Sequence, residues 1–312
     1  MASNAQAAGA AWQKLNVDYT QTWRNPNEHF DYRWCWLYWL FTDQRTCKTE
    51  YRQCNALNTR FIRADILDNR SLDNALRDID TVVHLAARVD TPNTDADAHS
   101  FDQINNWGSA QLATAIEQVS SVSRVVFLSS TAIYGEVEAP ADESTAPRPS
   151  SVYGTSKLRA ESHFERLANK IPVCIIRSGN VYGYNPAVRY NSVINKMVFD
   201  AQFQSRIHIE GSGEQTRAFI HVDKIAAAIV GLITHDRSRS GVYNFAEHNF
   251  AITDIVDNLV SEFPDLEYLN VDQDMRMRSF SVQLPHQLQD LLPQVSPDFG
   301  TEINDFVQQL AI

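Results

Sequence analysis

From Phe61 onward, short apolar runs alternate with stretches whose apolar residues recur every three or four positions. Phe61-Ile-Arg63, Thr81-Val-Val-His84, Arg124 to Ser129 and Val173 to Arg177 read as strands, and 70–77, 102–119 and 153–169 as helices. Arg124-Val-Val-Phe-Leu-Ser-Ser130 is an apolar run rather than an alternation, as in a strand buried on both faces of a parallel sheet. The order of elements predicts an α/β fold, a doubly wound parallel sheet. After Arg177 the pattern becomes irregular, with helices predicted near 190–204, 222–234, 253–262 and 302–310. No internal repeat or flexible linker is visible.

Before Phe61 the pattern breaks down. Of eleven glycines only Gly9 precedes Gly108, whereas five of six tryptophans (Trp12, Trp23, Trp34, Trp36, Trp39) and three of four cysteines lie before residue 55. The apolar stretch Trp34 to Phe41 is too short for a membrane anchor, which needs about 20 residues.

Composition narrows the function class. A chain of 312 residues with 44% hydrophobic content suits one large globular domain or two. A net charge of -11 and a pI near 5.2 disfavour a nucleic-acid surface, which needs a basic patch. The start Met-Ala-Ser-Asn-Ala-Gln lacks a secretory pattern, so a cytoplasmic protein is expected. Cys35, Cys47 and Cys54 are irregularly spaced, and Cys174 sits in an apolar strand as a core thiol. No metal site is predicted.

Three residues carry the candidate chemistry. Tyr153 and Lys157, in Ser151-Val-Tyr-Gly-Thr-Ser-Lys157, are four apart and share one helix face. A phenol has a reference pKa of about 10, and an ammonium one turn away favours the phenolate, which can take a hydroxyl proton. Ser130 ends its strand at the carboxyl edge, where crevices of such sheets open, and its hydroxyl can hold a substrate oxygen. His84, inside an apolar strand, is expected to be a core histidine.

The stretch from Val125 through Ser-Ser-Thr-Ala-Ile-Tyr-Gly135 to Ser151-Val-Tyr-Gly-Thr-Ser-Lys-Leu-Arg-Ala-Glu161 resembles the extended short-chain dehydrogenase/reductases, the NAD-dependent epimerase/dehydratase branch that includes sugar-nucleotide epimerases. The resemblance continues in Arg63-Ala-Asp-Ile-Leu-Asp68, Val82-Val-His-Leu-Ala-Ala87, Asn105 before Gly108, Arg177-Ser-Gly-Asn-Val-Tyr-Gly183, Gly211-Ser-Gly-Glu-Gln-Thr-Arg217 and His221-Val-Asp223. It implies a Rossmann-like sheet with a smaller C-terminal substrate domain, NAD as cofactor, a nucleotide-sugar substrate and a homodimer.

Residue by residue, the resemblance places Asp65 and Ile66 beside the adenine. It sets Leu85, Ala86 and Ala87 under the pyrophosphate and ribose, with strand-end packing as their competing role. Asn105 braces the cofactor side. Lys157 bonds the nicotinamide ribose as well as tuning Tyr153, and Ser178 lies near the nicotinamide. Asn180 faces the sugar, with Asn191 a weaker substrate candidate. Arg217 faces the diphosphate, where a planar guanidinium suits bidentate recognition; a surface ion pair with Glu214 or Asp223 is its competing use. The domains are then expected at 58–177 for NAD, with 222–245 returning to it, and 178–312 for substrate.

The family opens with a strand, a glycine-rich turn and a helix, because glycines let the backbone approach a pyrophosphate. This chain has no such turn, so its first strand-turn-helix is disrupted. Tryptophan has the single codon TGG, and reading one base later gives GGN, glycine. Trp34-x-Trp36-x-x-Trp39 then becomes Gly-x-Gly-x-x-Gly, and the flanking codons permit Ile-Leu-Ile-Thr-Gly-Gly-Ala-Gly-Tyr-Ile-Gly-Ser from His29 onward, with Met allowed at Asn27. Residues 1–57 are therefore read as an aberrant, out-of-frame segment, with a genuine N-terminal extension as the rival account. NAD binding by the chain as written is expected to be impaired.

Thr131-Ala132 follows Ser130, where 4,6-dehydratases of the resemblance carry Asp-Glu; Ala132 can carry no proton. Epimerisation is the expected reaction. Alternatives are an NAD(P)-dependent keto-sugar reductase or dehydrogenase, a non-catalytic nucleotide-binding relative, and an inactive product of a damaged gene.

Overall fold

The computed structural model describes residues 35–36, 62–89, 96–185, 188–234, 238–272, 278–284, 287–292 and 297–310. The elements are β1 (Cys35–Trp36), α1 (Asn69–Ala75), β2 (Thr81–His84), α2 (Ala96–Phe101), α3 (Gly108–Gln118), β3 (Arg124–Ser130), α4 (Val152–Leu167), β4 (Val173–Ser178) and β5 (Asn180–Tyr182). They continue with α5 (Val193–Gln204), β6 (Arg206–Glu210), β7 (Thr216–His221), α6 (Val222–Thr234), β8 (Gly241–Phe245), β9 (His248–Ala251), α7 (Ile252–Glu262), β10 (Glu267–Val271) and α8 (Phe299–Leu310).

Five strands form one sheet in the order β1-β2-β3-β4-β8. The pairing of β1 with β2 and of β2 with β3 is parallel, with Thr81 opposite Arg124 and His84 opposite Phe127. Every residue of β2 and β4 is buried, as expected for strands covered on both faces. The predicted Rossmann-like α/β class holds.

The chain divides into two compact units. One comprises the described parts of Met1–Leu128, Thr155–Ile175 and Asp236–Gly241; the other comprises Ser129–Gly154, Ile176–His235 and Val242–Ile312. In the first unit α1 packs on α3. Asp68 caps α1, accepting from the amides of Arg70 and Ser71. His84 stacks on Phe127 with centroids 5.2 Å apart and meets Phe164 of α4 at 5.4 Å. Its ring nitrogen lies 2.9 Å from the Ser109 hydroxyl, and burial pushes its pKa down to about 3, so it is the neutral core histidine expected. Cys174 is a buried free thiol.

The strand expected at Phe61-Ile-Arg63 is not formed over Ile62 and Arg63. The chain turns immediately afterwards. The Asp65 carboxylate accepts from the Leu67 amide at 2.9 Å and its carbonyl accepts from Asp68 at 3.0 Å, a local turn that competes with extended pairing. The helix expected over 102–119 begins at Ala96 and passes through a π-helical turn at Asp102–Trp107.

In the second unit β5 pairs parallel with β7, β7 antiparallel with β9, and β6 parallel with β10. Its core draws Met197 and Val198 from α5, Ile255 and Leu259 from α7, and Ile303 and Phe306 from α8. Among the described residues no helix is long and apolar enough to cross a membrane.

Candidate active site

Ser130 closes β3 and caps the 3-10 turn Thr131–Ile133, its hydroxyl accepting from the Ala132 amide at 3.2 Å. Ser151 plays the same part for α4, accepting from the Gly154 amide at 3.0 Å. Tyr153 is thereby fixed in the first turn of α4, half-buried. Gly154 explains how close the two caps lie. A Cβ there would stand 2.5 Å from the Ala132 carbonyl oxygen, so only glycine lets the start of α4 rest on the turn that follows Ser130.

The loop after that turn is pinned from below. Arg177 donates to the Tyr134 hydroxyl at 2.9 Å, which donates to the Asn244 side-chain oxygen at 2.7 Å; the backbone N–H of Asn244 donates to the Glu143 carboxylate at 2.8 Å. The Thr131 hydroxyl donates to the Ser178 carbonyl at 3.2 Å. Gly135 has φ +70°, and a side chain there would run into the Arg148 carbonyl. Ser130 therefore sits on a rigid platform.

Two substrate-side candidates, Asn180 and Arg217, lie on the three-stranded sheet of the same unit. Asn180 opens β5 and donates to the Ala218 carbonyl at 3.1 Å. Arg217 on β7 donates to the carbonyls of Thr216 and Arg278, with its guanidinium 5.8 Å from the centre of the Phe280 ring. Burial, and the Arg278 charge beside it, push its pKa below the usual arginine value. Arg278 itself donates to the Ser150 carbonyl at 2.8 Å, next to the helix that carries Tyr153. Two guanidinium groups therefore share this corner, and only Arg217 was expected. Asn191 is exposed and accepts from Arg189 at 2.6 Å.

The first unit holds the cofactor-side candidates. Asn105, in the π-helical turn, uses both ends of its side-chain amide: it accepts from the Arg88 amide at 2.7 Å, and donates to the Arg88 carbonyl at 3.1 Å and to the Ser156 hydroxyl at 2.9 Å. Asp65 is exposed, while Ile66 is fully buried against Gly108. Leu85 and Ala86 are buried at the end of β2, followed by the half-buried Ala87. Ser178, assigned by sequence to the nicotinamide side, belongs to the second unit and is buried; its hydroxyl donates to the Gly179 carbonyl at 2.7 Å.

Lys157 lies one turn beyond Tyr153 on α4. Its ammonium donates to the Leu128 carbonyl at 2.6 Å and sits 4.3 Å from the centre of the Phe127 ring. Burial pushes its pKa down to about 7, against the opposing pull of Glu161. A lysine held near neutrality can exchange its proton at physiological pH.

Sequence reasoning missed Ser156 and Arg278. Ser156 was within reach, because it immediately precedes Lys157 in the quoted motif. Arg278 had no local signal.

The model of the NAD dependent epimerase/dehydratase family matches residues 37–246. The dTDP-D-glucose 4,6-dehydratase of Mus musculus is 32% identical over 187 residues, 58% of this chain and 51% of that protein. The dTDP-L-rhamnose 4-epimerase of Burkholderia thailandensis is 28% identical over 214 residues, covering 55% and 58%. These alignments span about half the length of the curated relatives. Among solved structures, UDP-glucuronic acid 4-epimerase from Bacillus cereus, in complex with UDP-glucuronic acid and NAD, superposes with TM-score 0.71 at 25% identity, covering 81% of this chain and 83% of that one. UDP-N-acetylglucosamine 4-epimerase from Methanobrevibacter ruminantium gives TM-score 0.72 at 26% identity, covering 83% and 85%. By sequence and by fold, this chain belongs to the NAD dependent epimerase/dehydratase family.

Proposed function

We propose that the chain carries the apparatus of an NAD-dependent sugar-nucleotide epimerase. The observation behind this reading is the pair of capped turns that sets Ser130 and Tyr153 on one platform, with Ala132 as the contact point. Position 132 offers no group to protonate a leaving hydroxyl, which favours epimerisation over the elimination named for the 4,6-dehydratase relatives.

The described residues fit NAD. Asp65 offers an exposed acceptor, Ala86 and Ala87 leave the backbone at the end of β2 open to close approach, and Asn105 is held rigid by three hydrogen bonds. Asp65, Ile66, Leu85, Ala86, Ala87, Asn105, Tyr153, Lys157 and Ser178 are proposed to hold it. The segment read as the lost glycine turn lies almost wholly outside the described residues, and its sequence supports impaired binding. NAD, when bound, supplies a hydride acceptor and donor at one sugar carbon.

Tyr153 Oη takes the hydroxyl proton of that carbon and returns it after the sugar has turned over. Ser130 donates to the same oxygen and orients it. Lys157 favours the phenolate. Asn180 and Asn191 contact the sugar, and Arg217 with Arg278 neutralises the diphosphate. By ligand, residues 58–177 with 222–245 form the NAD half and 178–312 the substrate half. A cytoplasmic homodimer is the proposed working form.

The reading is tested by incubating the chain, and a version with the glycine turn restored, with NAD and UDP-sugars. Epimer interconversion without net NADH change supports it. Stoichiometric NADH formation with a keto-sugar product would replace it with a dehydrogenase, the reverse direction of a keto-reductase, and a 4-keto-6-deoxy product with a dehydratase.

A further inference from the structure

The C-terminal helix α8 buries Phe299, Glu302, Ile303, Phe306 and Val307, and Glu302 is the one charged member of that face. Its side chain is 3% exposed. A carboxylate taken that far out of water needs a charge partner and hydrogen bonds on both oxygens. It has them. The Lys224 ammonium, 5% exposed, lies 2.6 Å from one oxygen, and the Tyr182 hydroxyl donates to the other.

Lys224 reaches further. Its ammonium also pairs with Glu247, in the turn between β8 and β9, and lies 3.4 Å from the Pro297 carbonyl, just before α8. The ammonium thus joins the turn between β8 and β9 to α8 and to the residue just before it. Glu247, His248 and Glu302 offer ligand atoms within 4.8 Å of one another, the spacing of a metal cluster. Two of those three ligands already hold the lysine.

We infer that Lys224 is the resident cation of this cluster and works as a clasp that sets the height and rotation of α8. The apolar positions 299, 303, 306, 307 and 310 repeat every three or four residues, so apolar packing alone tolerates a rotated or slipped helix. A buried ion pair does not, and fixing register is the best-attested use of such groups. The clasp stands at the ends of β5, which begins at Asn180, and β7, whose second residue is Arg217. The inference does not depend on the catalytic reading.

Hydrogen exchange of the full chain, read by mass spectrometry over residues 299–310, tests it. Glu302→Gln removes the charge but keeps an acceptor for Tyr182, and should speed exchange of these amides by about tenfold or more, as should Lys224→Met. The double variant should recover part of the protection, because it leaves no unpaired charge on α8 itself, while Glu247 is left at 22% exposure. Exchange within twofold of the parent in Glu302→Gln, or a double variant as loose as the two losses combined, overturns the clasp. If Lys224→Met does not fold, Glu302→Gln alone decides by the same criterion.

Discussion

The side-chain amide of Asn105 donates to the Ser156 hydroxyl at 2.9 Å while its other contacts hold both backbone groups of Arg88. One buried residue thus ties the π-helical turn to the segment after β2 and to the residue preceding Lys157. Asn105→Leu leaves the Arg88 amide and carbonyl without these partners and should cost about 2–4 kcal/mol. Ser156→Ala removes the bond from Asn105 but leaves the two Arg88 contacts in place, and should cost less. Urea unfolding of both variants checks the ranking. Equal losses would mean that Asn105 is not the hub.

His84 and Lys157 give the protein a definite pH response. The folded pKa of His84 is about 3 against 6.5 in the free side chain. Between those values the unfolded chain takes a proton that the fold refuses, so stability falls as pH drops through that window. For Lys157 the corresponding values are about 7 and 10.5, so its part of the stability rises as pH climbs from about 7 towards 10.5. Each effect is on the order of a few kcal/mol. Urea midpoints measured across pH should flatten below pH 6.5 in His84→Leu and above pH 7 in Lys157→Met. An unchanged slope in either variant would count against the buried state of that residue.

Gly154→Ala is the sharpest steric test of the platform. The new Cβ would meet the backbone oxygen of Ala132, which belongs to a hydrogen-bonded turn and has little room to yield. The expected cost is about 1–3 kcal/mol, despite the gain in helix propensity that alanine normally brings. A variant as stable as the parent, by thermal or urea unfolding, would show that α4 can lift off the turn.

What could be read from sequence was what is local. The predicted 222–234 segment is α6, because its apolar face repeats at helical spacing over its whole length. Ser130 and Tyr153 were singled out from local patterns, the end of an apolar run and a tyrosine four residues before a lysine. Of the strand proposed at 61–63, Ile62 and Arg63 are not extended into a ladder, and the Asp65 turn follows directly. Arg278, Tyr134 with Asn244, and Lys224 with Glu302 were invisible for a common reason: each pair joins residues 61 to 110 positions apart. No periodicity encodes such contacts, and the fold alone brings them together.

Tyr153→Phe should abolish epimerisation in a version of the protein that binds NAD, while leaving NAD affinity within about twofold, since only the proton-accepting oxygen is lost. Lys157→Met should lower turnover and weaken NAD together if its ammonium reaches the ribose. Loss of turnover without loss of affinity would confine it to tuning Tyr153. Turnover that survives Tyr153→Phe would remove the tyrosine from the mechanism.

The N-terminal segment makes a prediction about the gene as well as the protein. β1 occupies Cys35–Trp36 and pairs with Val82 and Val83, whereas the reading one base later puts glycines at 34, 36 and 39 and the first strand just before them. A polypeptide with tryptophan at those places cannot bring its amides to a pyrophosphate. An independent nucleotide read across codons 20 to 65 should therefore show one base gained or lost, and the restored chain should bind NAD while the present one binds it weakly. A clean frame together with tight NAD binding by the present chain would mean that the tryptophan-rich segment is genuine and that the pyrophosphate is held by other residues. The two measurements separate the cases, because the frame decides which polypeptide is native and the binding decides whether the glycine turn is required.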